Sequence, residues 1–227
     1  MRSPPNWGAL FDVASAQAGF FSTRQAAEVG YSPQLLQKHL KAGRVVHERR
    51  GVYRLVHFPH VEHEELASVW LWSERTGVFS HQTALALHGL SDVLPARAHL
   101  TLPAAWRRRR LTIPADVLLH YADLTDDARA WFGPVPVTTP ARALNECADD
   151  GLAPDLLRQA AEQALVRGLV TRAGLSEVAR VLEPFGGIPR VHSDVLVTRG
   201  VSQSPRGPAP QTGSGPTPQS PTPAPRL

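Results

Sequence analysis

Cysteine is nearly absent from this sequence. One cysteine, Cys147, occurs in 227 residues, so neither an internal disulfide nor a Cys-x-x-Cys metal site can form. A chain with a single thiol suits a reducing compartment, and we predict a cytoplasmic location. No apolar run approaches the roughly 20 residues that a membrane-spanning helix needs, so we predict no membrane segment.

Lysine is also scarce, which bears on catalysis. The only lysines are Lys38 and Lys41, whereas a nuclease of the PD-(D/E)-x-K type needs a lysine beside clustered carboxylates. A nucleotidyltransferase needs a Gly-Ser turn that leads into an Asp-x-Asp pair for two metal ions. The only Gly-Ser is Gly213-Ser214, with no aspartate beyond it. We therefore predict that the chain is not an enzyme and uses no cofactor.

The histidines give no clear sequence signature of a metal site. His57, His60 and His63 recur at intervals of three, a spacing that can suit a metal ion. Pro59 interrupts the segment, however, and prevents a regular helix from holding all three rings on one face. The sequence therefore predicts no metal ligands.

A second histidine segment has ordinary helical explanations. Ser80 and His81 are adjacent, and adjacent helix residues point about 100° apart, so adjacency alone does not make them a hydrolytic pair. We predict Ser80 as a helix N-cap and His81 as a polar helix residue. His88, just before Gly89, is predicted as a cation at the end of that helix, where the dipole favours it.

Two short helices joined by a tight turn are predicted between residues 22 and 41. Ser22 followed three residues later by Gln25 fits a capping box, in which each side chain satisfies a backbone N–H of the other residue. Ser32 is a suitable N-cap, and Pro33 stands at the first helical position, where its missing N–H is harmless. Helix starts this close together predict a helix-turn-helix.

The second of these helices has a polar face. Its leucines can face a core, and the opposite side carries hydrogen-bonding residues at i, i+3, i+4 and i+7, namely Gln34, Gln37, Lys38 and Lys41. Gln pairs bidentately with adenine and Lys reaches guanine, so this face suits a DNA major groove. An ordinary solvated stripe is the alternative.

A basic hairpin is predicted over residues 45–55. Arg49-Arg50-Gly51 places two cations and a turn glycine at its tip, where the charges can meet phosphate. A basic surface hairpin without a ligand is the alternative. The whole pattern predicts a winged helix-turn-helix whose DNA-binding residues are Arg24, Gln34, Gln37, Lys38, Lys41, Arg49, Arg50 and Arg54.

The charge distribution agrees with this prediction. Residues 1–60 carry eight Lys or Arg against three acidic residues, whereas residues 61–190 carry thirteen against sixteen. The basic excess therefore lies in the predicted DNA-binding part. The densest cation run, Arg107 to Arg110, lies outside it and is either a second DNA-facing loop or a solvated turn between two strands.

The predicted fold class is α+β, with three parts. These are a winged helix-turn-helix over residues 1–58, a mixed α/β domain over 59–187 and a disordered, proline-rich tail over 188–227. A first helix over 7–18 is predicted to pack Leu10, Phe11 and Val13 beneath the motif. In the second part we predict a helix at 64–76, strands at 78–79, 98–102 and 117–121, a helix from 141, and helices at about 152–167 and 171–182.

Four blocks of the sequence together resemble the AbiEi-type antitoxins of type IV toxin-antitoxin systems. They are the helix-turn-helix, the hairpin Arg49-Arg50-Gly51-Val52-Tyr53, the segment Ser80-His81-x-Thr-Ala with His88-Gly89-Leu90, and Pro136-Val137-Thr138-Thr139-Pro140-Ala141-Arg142. The resemblance spans roughly residues 8–183 and depends on the order of the blocks. Asn145-Glu146-Cys147 departs from the pattern, because similar chains usually continue with Leu-Asp-Leu.

The resemblance implies a DNA-binding, autoregulatory N-terminal domain. The expected partner is double-stranded DNA of the chain's own promoter region, and the remainder would oppose a nucleotidyltransferase-like toxin without a stable complex. Many similar proteins carry a further domain like the very-short-patch-repair endonucleases, so this chain is either a short version or a truncated relative. The alternative of another class is a protein-interaction module whose winged helix packs on a partner protein.

Overall fold

The computed structural model describes residues 4–188. Apart from Ile188, the predicted tail lies outside the described residues. We call residues 4–58 the N-terminal module and residues 59–188 the α+β region. The elements of the N-terminal module are α1 (Trp7–Ser15), β1 (Phe20–Ser22), α2 (Thr23–Glu28), α3 (Pro33–Lys41), β2 (Val45–Arg49) and β3 (Val52–Leu55).

Helices α2 and α3 begin where their capping residues predict. The Ser22 hydroxyl accepts from the Gln25 backbone N–H at 3.2 Å, and the Gln25 side chain accepts from the Ser22 backbone N–H at 2.9 Å. This completes the predicted capping box. The Ser32 hydroxyl accepts from the Leu35 backbone N–H at 3.2 Å, and Pro33 is the first residue of α3. Both predictions of helix starts are confirmed.

The predicted hairpin is also present. β2 and β3 pair antiparallel with Val45 opposite Leu55, and Gly51 in the turn has a φ of +75°, which glycine adopts without strain. β1, which we did not predict, pairs with the other side of β3 to give a three-stranded sheet in the order β1-β3-β2. A small core holds these elements together and includes Leu10, Ala14, Phe21, Ala26, Leu36, Val45 and Leu55.

Helix α1 differs from its prediction. It ends at Ser15, and the backbone becomes left-handed at Ala18 and Gly19. Leu10 is fully buried as predicted, but Phe11 is 47% exposed, so its predicted place in the core is wrong. Neighbouring helix residues point about 100° apart, and Phe11 instead contacts Phe58 at 6.4 Å between ring centroids.

The α+β region is built on a five-stranded sheet in the order β6-β5-β4-β8-β7. β5 pairs parallel with β6 and antiparallel with β4, and β8 pairs parallel with β4 and antiparallel with β7. The elements are α4 (Glu64–Trp72), β4 (Val78–Phe79), α5 (His81–Leu87), β5 (Ala98–Leu102), β6 (Val117–Tyr121), β7 (Arg129–Phe132), β8 (Val135–Thr138), α6 (Pro140–Asp149), α7 (Pro154–Val166) and α8 (Ser176–Leu182).

Most predicted elements of this region are confirmed, including both five-residue strands, β5 and β6. Helix α4 stops at Trp72 because the backbone is left-handed at Glu74 and Arg75, which no helix tolerates. Sequence analysis missed β8, which contains Pro136 and pairs with two neighbouring strands. Proline normally argues against a central strand because it cannot donate to the ladder.

The start of α5 matches its prediction in position but not in side-chain contacts. Ser80 stands at the predicted N-cap position, but its hydroxyl caps no backbone N–H. The Ser80 Oγ lies 2.9 Å from His81 Nδ1 and accepts from Thr101 Oγ1 at 2.7 Å. His81 is a helix residue as predicted, and it is only 9% exposed. Both side chains belong to a buried polar cluster.

His88, at the other end of α5, is not the predicted cation. Burial lowers the pKa of His88, which leaves the ring neutral near pH 7. His88 Nε2 lies 2.8 Å from the Thr138 carbonyl oxygen and joins α5 to β8. The positive charge at this helix end comes from Arg167, whose guanidinium donates to the carbonyls of His88 and Gly89.

The two parts of the chain share a packed contact. Ala18, Phe20 and Val52 of the N-terminal module are buried in the larger core of the α+β region, and the described residues belong to one compact unit. The domain boundary at residue 58 stays a prediction. Within residues 4–188, no helix is long and apolar enough to cross a membrane.

Candidate nucleic-acid interface

Helix α3 has a polar outer face. Leu36 is buried, and Leu35 and Leu40 pack partly against the small core. The other side of the helix is exposed and carries all the residues predicted for the major groove, namely Gln34, Gln37, Lys38 and Lys41. No side chain of this set has a hydrogen bond or an ion pair to residues 4–188. The face is therefore available to a ligand without breaking an internal contact.

An aromatic contact fixes α3 on the module. The His39 ring stacks on Trp7 at 5.2 Å between centroids and meets the edge of Tyr31 at 5.4 Å. Burial lowers the pKa of His39, and the charges of Arg44 and Lys38 lower it further, so this ring stays neutral and packs as an aromatic side chain. Helix α3 is thus held rigidly through its inner face while its outer face stays free.

The end of α3 adds one cation that sequence analysis missed. Gly43 has a φ of +66° and turns the chain, and the Arg44 backbone N–H donates to the His39 carbonyl at 3.0 Å. The Arg44 side chain is exposed and extends the positive charge of Lys38 and Lys41. The sequence did contain a signal for Arg44, because this cation directly follows Gly43, the glycine at the end of the helix.

At the hairpin tip, Arg50 is the exposed cation. Its guanidinium has no ion pair or hydrogen bond within the part of the chain that the structure describes. Arg24, in α2, pairs with Glu28 at 3.3 Å, but both side chains are well exposed, and such pairs contribute little. Arg24 and Arg50 line the same open cavity of about 330 Å³. Both can reach an anion in solvent.

Arg49 has a different environment. Its Nη2 lies 3.1 Å from Asp116 Oδ2, its Nε donates to the Ser68 hydroxyl at 2.9 Å, and its side chain is 15% exposed. Partial burial opposes ionisation of Asp116, yet the hydrogen bond and charge of Arg49 outweigh it and lower the pKa of Asp116. Arg49 therefore ties the hairpin to the α+β region, and its phosphate contact stays a prediction that requires this pair to open.

Arg54 is buried, which corrects its assignment to the interface. Its side chain is 8% exposed and lies 3.1 Å from Glu64 Oε2, and Nη2 also donates to the Phe58 carbonyl at 3.0 Å. The guanidinium packs against the Phe20 ring, 5.6 Å from its centroid. A guanidinium with these partners cannot reach a phosphate from this position. Alternation along β3 places Arg54 on the same face as the buried Val52. The opposite face of the strand is also apolar, so the sequence did not reveal which face lies inward.

The cation run Arg107 to Arg110 lies on the connection between β5 and β6. Arg107 and Arg108 end a short 3₁₀ helix, Ala104–Arg108, and all four arginine side chains are exposed. Arg109 stacks over Trp106 at 3.8 Å from the ring centroid, and Arg107 lies 5.6 Å from the Tyr121 ring centroid. The predicted turn between two strands is confirmed, while a DNA-facing role for it stays untested.

These features define a helix-turn-helix with a flanking hairpin and a free, basic helix face. Residues 9–56 match the family model described as "Transcriptional regulator, AbiEi antitoxin". Over these residues the chain is similar to the AbiEi antitoxin and transcriptional-regulator family, and the predicted resemblance is confirmed there. Residues 57–183, which the predicted resemblance also included, lie outside the match.

No curated protein matches the sequence. Among solved structures, the chain is similar to the crystal structure of the RV2827C protein from Mycobacterium tuberculosis, with 15% sequence identity and a TM-score of 0.49. The similarity covers 81% of this chain and 73% of that chain.

Proposed function

We propose that this protein is a sequence-selective, DNA-binding transcriptional regulator that represses its own promoter. The observation that carries the proposal is the outer face of α3, on which two glutamines and two lysines are exposed and have no partner within residues 4–188. The family of the N-terminal domain supports a regulatory role. Under this proposal, the protein has no enzymatic activity and acts as an antitoxin in a type IV toxin-antitoxin operon.

The chemistry of α3 suits base recognition. Gln34 and Gln37 can each donate and accept toward the edge of an adenine, and Lys38 and Lys41 can donate to guanine. An α-helix fits the major groove of B-DNA, and the recognition helix of a helix-turn-helix contacts bases through its exposed residues. We assign α3 as this recognition helix.

Phosphate contacts come from the flanking cations. Three arginines of the module are exposed: Arg24 in α2, Arg44 after the end of α3, and Arg50 at the hairpin tip. Exposed arginines around a recognition helix bind phosphates and position a protein on the duplex without reading its sequence. Arg54 takes no part because it is buried against Glu64. The proposed interface thus separates base-reading residues on α3 from phosphate-binding residues around it.

Fluorescence anisotropy with labelled DNA from upstream of the chain's own gene tests this function. Scrambled DNA of the same composition serves as the comparison, and both titrations are run at two salt concentrations. We expect selective binding of the upstream DNA that weakens as salt rises, because phosphate contacts release counterions. Equal binding of both DNAs, or no binding, would overturn the proposal and favour a winged helix that packs on a protein partner.

A matched pair of variants assigns the binding to α3. Lys38→Ala removes a cation from the proposed interface, whereas Arg180→Ala removes one from α8, where Arg180 is exposed and paired with Glu177 and Asp149. Both variants lower the net charge equally. We expect Lys38→Ala to reduce the preference for upstream DNA and Arg180→Ala to leave it unchanged.

A further inference from the structure

Two histidines from neighbouring strands of the five-stranded sheet meet a third from the start of α5. His99 lies in β5, His120 lies in β6, and His81 follows β4 as the first residue of α5. The register sets His99 opposite Leu118, so His99 and His120 project from the same face of the sheet. Intervals of 18 and 21 residues separate the three, which explains why no sequence motif indicated them.

The ring nitrogens are close enough to share one ion. One nitrogen from each of His81, His99 and His120 lies within 4.8 Å of the other two, and His99 Nδ1 is 3.0 Å from His120 Nε2. Nitrogens bound tetrahedrally to Zn²⁺ stand ~3.3 Å apart. The His99–His120 distance already suits this geometry, whereas the third nitrogen must approach by about 1.5 Å or less. The His81 and His120 rings are stacked at 3.5 Å between centroids, so metal binding also requires a ring to rotate until the in-plane lone pairs converge on the ion.

The Ser80 hydroxyl contacts the His81 ring, and the Glu146 carboxylate lies nearby. His81 Nδ1 lies 2.9 Å from Ser80 Oγ and 3.7 Å from Glu146 Oε2. A proton on Nδ1 leaves the lone pair on Nε2, and metal-binding histidines commonly present their second N–H to a carboxylate. His81 also has a φ of +51°, a strained backbone of the kind found at functional sites.

An open cavity of about 420 Å³ borders this cluster. His81, His120 and Glu146 line it, together with Asp149 and Asp150. The cavity provides an entry path for a cation and leaves room for water or another small ligand beside it. Zinc sites with three protein ligands bind water or another small ligand at the fourth position, whereas structural zinc sites are closed by four protein ligands.

We propose that His81, His99 and His120 bind one divalent transition-metal ion of the Zn²⁺ class, with a further coordination position open to the cavity. Three imidazoles favour Zn²⁺, Co²⁺, Ni²⁺ or Cu²⁺ over Mg²⁺ and Ca²⁺, which take oxygen ligands. Glu146 is a positioning residue that acts through His81. The site is independent of the proposed DNA-binding face, so either can fail without the other.

Calorimetric titration of the untagged full-length protein with ZnCl₂, after treatment with a chelator, tests the site. We expect one Zn²⁺ per chain and no heat with MgCl₂. His81→Ala and His120→Ala should each weaken binding by more than about 100-fold, beyond the 10–100-fold typical of an outer partner. Glu146→Gln should weaken it by about 10–100-fold and keep the visible spectrum of the Co²⁺ complex.

The matched control is a variant that lacks two histidines outside the cluster, His60 and His63. His60→Ala with His63→Ala deletes two partly or fully exposed rings outside the cluster and should leave Zn²⁺ binding unchanged. The proposal is overturned if the native chain binds no Zn²⁺, if binding survives both cluster variants, or if the control loses it. Where the alanine variants do not fold, X-ray absorption of the native Zn²⁺ complex gives the number of imidazole ligands. A number below three contradicts the proposed site.

Discussion

Helix α3 and the hairpin β2–β3 carry the same kind of charge but differ in what that charge contacts. On α3, Lys38 and Lys41 are exposed and have no ion pair within residues 4–188. On the hairpin, Arg49 pairs with Asp116 and Arg54 pairs with Glu64, which leaves Arg50 as the hairpin arginine without such a pair in the described chain. Within the described residues, α3 therefore has two exposed lysines without an ion pair, whereas the hairpin has one such arginine.

The difference teaches that a basic residue in a DNA-binding motif need not contact DNA. Both acidic partners of the hairpin lie in the α+β region, 10 and 67 residues away from their arginines. The hairpin therefore serves partly as a joint between the two parts of the chain. Mutations can be compared for their effects on two quantities, the free energy of unfolding and the DNA affinity. This shows whether the hairpin arginines stabilise the fold while the α3 residues bind DNA.

The largest expected effect comes from Arg54. Arg54→Ala leaves Glu64 partly buried without its cation and empties the space beside Phe20. Breaking such a pair costs about 3 kcal/mol, and we expect that loss in the free energy of unfolding from urea titration. The control Arg24→Ala removes an exposed cation and should change stability by less than about 0.5 kcal/mol. A stable Arg54→Ala protein with weakened DNA binding would reverse our assignment.

The same ion pair predicts a dependence on pH. Burial opposes ionisation of Glu64, but hydrogen bonds from His60, Val61 and Arg54 outweigh it and lower its pKa below the ordinary 4.5. The ionised carboxylate therefore contributes stability above pH 4.5, and this contribution is lost as the pH falls through the lowered pKa. Unfolding of Glu64→Gln, compared with the native chain from pH 7 to pH 3, should show a difference that shrinks on acidification. A constant difference would show that the charge of Glu64 is irrelevant.

The next effect concerns base recognition by α3. Gln37→Ala and Lys38→Ala each remove an exposed side chain that has no internal partner to lose, so folding should be unaffected. On the preferred DNA each should cost about 1–3 kcal/mol of binding, with little change on scrambled DNA. Anisotropy titrations on both DNAs measure the two losses. Equal losses on both would mean that α3 contacts only the backbone.

These contrasts also mark how far sequence analysis reached. Capping chemistry is local, so Ser22 and Ser32 predicted two helix starts correctly. The exposed face of α3 followed from helical spacing in the same way. The burial of Arg54 and the pairing of Arg49 depend on residues brought close by the fold, and the meeting of His81, His99 and His120 depends on the order of strands in a sheet. No local pattern contains that information.

A smaller effect is expected at the hairpin tip. Arg50 is exposed and without a partner in the described residues, so Arg50→Ala should remove one phosphate contact and nothing else. The slope of log affinity against log salt should fall by about 0.9, which is roughly eightfold in affinity at 0.1 M salt. The loss should be equal on preferred and scrambled DNA. A change in sequence preference would place Arg50 against a base.

The smallest effect should come from the Arg49–Asp116 pair, and it separates the two roles of the hairpin. Asp116 is more than half exposed, so breaking the pair should cost only about 0.2–1 kcal/mol of stability. If Arg49 only joins the hairpin to the α+β region, both Arg49→Ala and Asp116→Asn should lower stability and leave the salt dependence of DNA binding unchanged. Arg49→Ala should lower stability more, because it also loses the hydrogen bond to the Ser68 hydroxyl. If Arg49 instead exchanges Asp116 for phosphate, the two variants diverge. Asp116→Asn would then strengthen binding by freeing the guanidinium, and Arg49→Ala would reduce the salt slope as Arg50→Ala does. Comparing these two variants on the same DNA shows whether Arg49 only stabilises the protein or also binds DNA.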